Sequence, residues 1–146
     1  MGKIMSNFSK FMKANKIQKK NVFHPVTKSL TDENGEPLLW EIRPLTTKEN
    51  ESIRDACTKE IPVKGKPNLF RQKIDMGLYQ TKLVCAAVVN PDLHDAELQN
   101  SYGVMSAEDL IKEMVDDPAE YTDLMVFVQE LSGFKTLQEE VDEAKN

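Results

Sequence analysis

The chain has 146 residues, 40% hydrophobic and 29% charged, with a net charge of −5 at pH 7. A domain of that size buries roughly 70% of the surface its unfolded chain exposes, so the core needs neither a metal nor a disulfide. Two cysteines, Cys57 and Cys85, and two histidines, His24 and His94, give no CxxC pair and no zinc-ligand spacing, so both thiols read as small, reduced apolar residues.

Met1 to Ser6 has no apolar h-region and no small-residue cleavage site, so it is not a signal peptide, and Met5 looks like a natural start. Gly2 and Ser6 match a myristoylation pattern too short to carry weight. The longest apolar run, Leu83 to Val89, falls far short of the roughly 20 residues that span a bilayer. The expectation is a cytoplasmic protein with no membrane segment.

Residues 1–20 form a basic arm. Seven lysines and no acid lie in residues 1–31, and Phe8, Phe11 and Met12 fall at helical spacing, predicting a short amphipathic helix over 6–14. Nine residues make a marginal helix alone, so this one needs something to dock on.

Residues 20–44 read as a β-hairpin. Val22, Val26 and Leu30 share one face of the first strand, and Leu38, Trp40 and Ile42 share one face of the second. Asn34-Gly35 between them is a strong turn signal. Pro25 cannot donate to a ladder, which makes the first strand an edge.

Pro44 ends the hairpin, and Thr46 with Glu49 forms a capping box that opens a helix to about Lys59. Ile61 to Leu69, with Pro62, Gly65 and Pro67, reads as a loop or short extended segment. A longer helix is predicted from about Ile74 to Val89, stopped by Asn90-Pro91. Its Leu83–Val89 run also suits a buried strand, but length favours helix. A short helical segment follows from Asp95 to about Ser101, ended near Gly103. Ser106 with Asp109 starts a further helix with Leu110, Ile111, Met114 and Val115 on one face. Asp117-Pro118 opens the next, whose Tyr121, Leu124, Met125, Val128 and Leu131 form a stripe ending at Gly133. Thr136 with Glu139 caps a last acidic helix or tail over 135–146.

The predicted architecture is α+β and mostly α. An N-terminal β-hairpin packs on a compact bundle of about five to six helices. Residues 21–134 form a single globular domain, with the hairpin at 21–44 and the helices at 46–133. Charge divides the chain: residues 1–73 carry 15 Lys/Arg against 8 Asp/Glu, or +7, and residues 74–146 carry 4 against 16, or −12. Such polarity suits steering to a charged partner or head-to-tail self-association, and equally suits two solvated, flexible termini.

Catalysis finds no constellation. There is no GxSxG, P-loop or GxGxxG, and neither His24 nor His94 is placed as an oriented general base. Asp116-Asp117 reads as a helix N-cap rather than a metal site. No cofactor, metal or catalytic residue is expected. Phosphate binding by the lysine arm, with Phe8 and Phe11 stacking on bases, is the nucleic-acid alternative. The arm lacks arginine and the whole chain has a pI near 5.1, so no nucleic acid is expected.

Phe8-Ser9-Lys10-Phe11-Met12, followed by a hairpin ending Leu39-Trp40-Glu41-Ile42-Arg43-Pro44-Leu45-Thr46, resembles the XkdN-like phage tail assembly chaperones of PBSX-type prophages and contractile-tailed phages. Val89-Asn90-Pro91-Asp92-Leu93, Asp95-Ala96-Glu97-Leu98-Gln99, Ser101-Tyr102-Gly103-Val104, Glu120-Tyr121 and Leu131-Ser132-Gly133-Phe134 are similar to the family's helical half. The resemblance covers roughly residues 5–134. It implies a non-enzymatic protein of the bacterial host cytoplasm, absent from the mature virion, that keeps the phage tape measure protein soluble during tail assembly. It also implies a longer frameshifted product, for which codons of Ala144-Lys145-Asn146 could supply the slippery sequence. A helical client with one apolar face would be masked by a helix-in-groove contact. The candidate partner-binding residues are Phe8, Phe11 and Met12 of the arm, and Tyr121, Leu124 and Val128 wherever that stripe is exposed. A structural tail or baseplate component retained in the particle is the alternative reading.

Overall fold

The computed structural model describes residues 7–134. The expected acidic helix from Thr136 lies outside the described residues, as does the start near Met5. Among the described residues the architecture is α+β, with five α-helices and small antiparallel sheets.

The arm differs from expectation. Instead of one amphipathic α-helix over 6–14, it forms two short 3-10 turns, Ser9–Phe11 and Lys13–Asn15, separated by an extended Met12. Neither turn buries a residue. With nothing to dock on, nine residues do not repay the cost of nucleating an α-helix, and i→i+3 turns are what remains.

Strand β1, Val22–Pro25, pairs antiparallel with β2, Leu39–Ile42, so that Val22 faces Ile42 and His24 faces Trp40. The connection turns at Asp32, whose carboxylate accepts from Asn34 N and Glu36 N, and Gly35 supplies the left-handed φ of 80°. β1 is an edge strand, which is where Pro25 does no harm. On the other side of β2 lies β5, Val88–Asn90, giving the order β1-β2-β5. β2 turns Trp40 and Ile42 into the core, while Leu39 stays exposed.

Helix α1, Thr47–Ala56, begins with the capping box: Thr46 Oγ1 accepts from Glu49 N, and Glu49 returns the bond to Thr46 N. It ends three residues before the expected Lys59. The chain then runs straight into a second hairpin, β3 (Thr58–Pro62) with β4 (Phe70–Ile74), in full register from Thr58–Ile74 to Pro62–Phe70. The stretch Ile61 to Leu69, expected as a loop or short extended segment, is therefore the distal part of a ribbon: Ile61 and Pro62 are extended in β3 and the rest forms its turn. Its turn uses Gly65 and Asn68 at positive φ.

Helix α2, Met76–Ala87, is the central element, capped by Asp75 and packed against α1, α4 and α5. It stops before the expected Val89, because Val88 and Asn90 pair with β2 instead of continuing the helix. Three more helices complete the body: the short α3 (Ala96–Ser101) and α4 (Ala107–Met114), and the longer α5 (Pro118–Leu131). Asp95, Ser106 and Asp117 cap them in turn through their side chains. One cluster of buried side chains joins Trp40 and Ile42 to Val84, Leu93, Leu110, Ile111, Leu124 and Val128.

Candidate functional site

The two candidate surfaces fare differently. Leu124 and Val128 are each 1% exposed and belong to the core, where α5 packs on α2. Tyr121 is half-buried, and its hydroxyl shares a 2.8 Å hydrogen bond with Thr81 on α2. A stripe at helical spacing is first of all the face that holds a helix to its body, and that is its role here. The arm is the opposite case. Phe8 is 77% exposed, Phe11 85%, Met12 53% and Ile17 93%. Four large apolar side chains lie on one lysine-rich segment with no core beneath them. Single exposed hydrophobes need no explanation, but a group of them on a short segment does.

The arm is anchored at its C-terminal end. Lys16, Ile17 and Lys19 form one wall of a groove of about 550 Å³, with Arg43 and Leu45 on another and Ser132–Phe134, at the end of α5, on a third. Ser132 Oγ accepts from Leu45 N at 2.8 Å, tying the α5 terminus to the end of the first hairpin. Arg43 is committed to Glu49 on α1 through a two-pronged pair, with Nη1 donating to Oε1 at 2.9 Å. That guanidinium, helped by the Thr46 backbone, holds the Glu49 carboxyl down at about 2. Lys16 and Lys19 make no ion pair among the described residues. The Lys19 ammonium lies 3.1 Å from where a Cβ on Gly133 would sit, over the negative end of the α5 dipole.

A second groove, of about 800 Å³, opens between the end of β1 and the start of α5, rimmed by Asp116, Asp117, Glu120 and Asp123. Two of these carboxylates are already engaged. Asp117 caps α5 by accepting from Ala119 N and Glu120 N, and Glu120 accepts from Thr27 Oγ1 and Lys28 N. Deeper in, His24 stacks flat on Phe127, with ring centroids 3.8 Å apart, and burial lowers its pKa. An imidazole held neutral against a phenyl ring is a packing element. Among the described residues no group of His, Cys, Asp and Glu is placed to hold a metal ion.

The β3–β4 ribbon is the surface that the sequence did not disclose. Neither strand buries a residue. Residues 58–74 carry five bases, Lys59, Lys64, Lys66, Arg71 and Lys73, against Glu60 alone, and expose Leu69 and Phe70. The available signal was the β-compatible run Phe70-Arg71-Gln72-Lys73-Ile74 facing Thr58–Pro62 across a Gly65/Asn68 turn. With no side chain fully buried and only Ile74 packed against the core, the strands lack the polar/apolar alternation that marks a half-buried strand.

The arrangement of strands and helices matches the crystal structure of a protein named YqbN with a TM-score of 0.73 at 17% identity, over 90% of this chain and all of that one. That likeness establishes the fold class. Residues 8–145 match the model of the phage XkdN-like tail assembly chaperone proteins, and the chain belongs to that family. Among curated relatives, the phage-like element PBSX protein XkdN of Bacillus subtilis strain 168 is 22% identical over 141 residues, covering 96% of this chain and 94% of the relative. The protein YqbN of the same strain is 22% identical over 138 residues, covering 94% and 91%. No helix among the described residues is long and apolar enough to cross a membrane.

Proposed function

We propose that this protein is a non-enzymatic tail assembly chaperone that binds the phage tape measure protein in the host cytoplasm and keeps it soluble until the tail tube forms around it. One observation carries the reading: Phe8, Phe11, Met12 and Ile17 stand exposed on a lysine-rich arm outside the core. Apolar side chains left outside the core of the described residues, on a chain of a chaperone family, are suited to cover a client's apolar face. The lysines around them supply solubility and orientation rather than most of the affinity. Tyr121, Leu124 and Val128 hold α5 to the body in this reading, and the arm is the contact.

Co-expression tests it. The tape measure protein should stay in the soluble fraction with the wild-type chain and precipitate with the double variant Phe8→Ser/Phe11→Ser. Because neither side chain is buried, that variant should unfold at the same urea midpoint as the wild type. A client equally insoluble with and without the wild-type chain would overturn the proposal. Mass spectrometry of purified tails gives an independent check, since a chaperone should be missing from them.

A further inference from the structure

The end of the fold and its basic arm meet at one place. Phe134, the last described residue, lines the same groove as Lys16, Ile17 and Lys19, and the Lys19 ammonium overlies Gly133. The next twelve residues of sequence, 135–146, therefore start beside the arm. They carry Glu139, Glu140, Asp142 and Glu143 within five positions, with Leu137 and Val141 four residues apart. The arm between Phe8 and Lys20 carries Lys10, Lys13, Lys16, Lys19 and Lys20, no acid, and the exposed Phe8, Phe11, Met12 and Ile17. Charge is complementary where it matters: the stretch 137–143 is acidic with Lys135 and Lys145 outside it, and the arm is basic.

Reach agrees with charge. At about 3.3 Å per residue, Glu139 comes within roughly 17 Å of Phe134 and Glu143 within roughly 30 Å. Lys16 and Lys19 line the groove where that path starts, and Lys13 and Lys10 precede them in sequence at intervals of three. Tethering gives the tail an effective concentration in the millimolar range, so weak ion pairs and two apolar contacts suffice to populate the bound state. Arg43 takes no part, since Glu49 already occupies it.

We propose that the groove formed by the arm and the end of α5 is the docking site for the acidic segment 137–143 of the same chain, which lies along the arm with its carboxylates among the lysines and covers part of the exposed apolar surface. The contact stands on charge, apolar character and tether length. Its consequence, that the tail and the client compete for the arm, rests on the function proposed above. Shielding the arm until a client displaces the tail would keep the free protein from associating through those phenyl rings.

A spin label on the full chain tests the contact without a client. A nitroxide attached at Ala144→Cys should extinguish most of the backbone amide signals of residues 8–19, and those signals should return in high salt. Neutralising the tail, with Glu139→Gln, Glu140→Gln, Asp142→Asn and Glu143→Gln added, should restore them at low salt. The cationic β3–β4 ribbon, with Lys59, Lys64, Lys66, Arg71 and Lys73, reports non-specific attraction, and its Val63–Leu69 turn should keep its signals. A mixture of labelled natural-abundance chain with unlabelled nitrogen-15 chain should show no loss. Sharp arm signals at low salt would overturn the proposal. Equal loss at the ribbon turn would also overturn it, as would loss in the mixture, which would put the tail on a second copy. Should the spin label report contact while the tail-neutralised chain gains no client affinity, the docking stands and the competition falls.

Discussion

Thr27, just past β1, and Glu120, in the first turn of α5, are joined by a 2.8 Å hydrogen bond across 93 positions of sequence. Glu120 also accepts from Lys28 N at 2.8 Å, so one carboxylate satisfies a hydroxyl and a backbone donor. Thr27 is 2% exposed, and its hydroxyl also meets Ser29 Oγ. The pair clamps the outgoing end of the first hairpin to the last helix. It converts a sheet edge, where pairing is weakest, into part of the body. Glu120→Ala removes one partner of the Thr27 hydroxyl, which keeps Ser29 Oγ, and the acceptor of the exposed Lys28 N–H, so it should cost about 1 kcal/mol. Glu120→Gln keeps one acceptor oxygen and should cost less. Urea unfolding of the two variants beside wild type checks the order, and equal midpoints for Glu120→Ala and wild type would contradict it.

Arg43 and Glu49 make stability depend on acid. Arg43 and the Thr46 backbone lower the folded Glu49 carboxyl from 4.5 to about 2. A carboxyl whose folded pKa is depressed contributes stability above its unfolded value and loses it as pH falls through the folded one. The contribution should therefore be complete above pH 4.5 and fade toward about 2. Both side chains are one-third exposed, so solvent screening keeps the effect to about 1 kcal/mol. The stability difference between wild type and Glu49→Gln should be largest near neutrality and shrink across that window. A difference that grows on acidification would be the wrong sign.

Cys57 and Cys85 are free thiols buried in the core. Burial pushes Cys85 up to about 12 and raises Cys57 as well. The thiolate is the reactive species, so neither should react in the folded protein at mildly alkaline pH. A disulfide-exchange dye should titrate essentially no thiol in native buffer and both in guanidinium. Fast reaction of one thiol in native buffer would mean that its surroundings open.

Leu124 separates core from contact surface. It is buried in the cluster beneath α5, so Leu124→Ala should cost about 2–5 kcal/mol through lost burial and the cavity left behind. Phe11→Ala should leave the urea midpoint unchanged. A Leu124→Ala chain as stable as wild type would argue that α5 does not rest on the core as described.

Where the sequence carried a side-chain signal tied to backbone geometry, it was legible. Thr46 with Glu49, Ser106 with Asp109 and Asp117-Pro118 all announced helix starts, because a cap is a local bond between near neighbours. Trp40 and Ile42 showed their inward face by alternation. Val88–Asn90 left strand as the second reading behind helix. Its apolar run continues that of α2, and only β2, more than 40 positions away, draws it out of the helix. The arm was legible in composition and wrong in shape, since spacing alone does not form a helix without a surface to bury its face. Which apolar stripe was core and which was exposed depended on tertiary packing. Val128 and Phe11 look alike in sequence and stand at opposite extremes in the structure.

The β3–β4 ribbon gives the last prediction. Its two strands pair with each other over five residues, and among the described residues no third strand joins them. A two-stranded ribbon that buries no side chain fully is marginal, and its hydrogen bonds open without the rest of the fold unfolding. Amides of β3 and β4 should therefore exchange with deuterium much faster than those of Trp40 and Ile42, whose strand is flanked on both sides and buried on one. Hydrogen exchange followed by NMR distinguishes the two sheets residue by residue. Adding the tape measure protein supplies the decisive comparison. A client held by the arm alone should leave ribbon exchange unchanged. Slowed exchange at Ile61 and Arg71 would show that the ribbon, with its five bases and exposed Phe70, joins the contact.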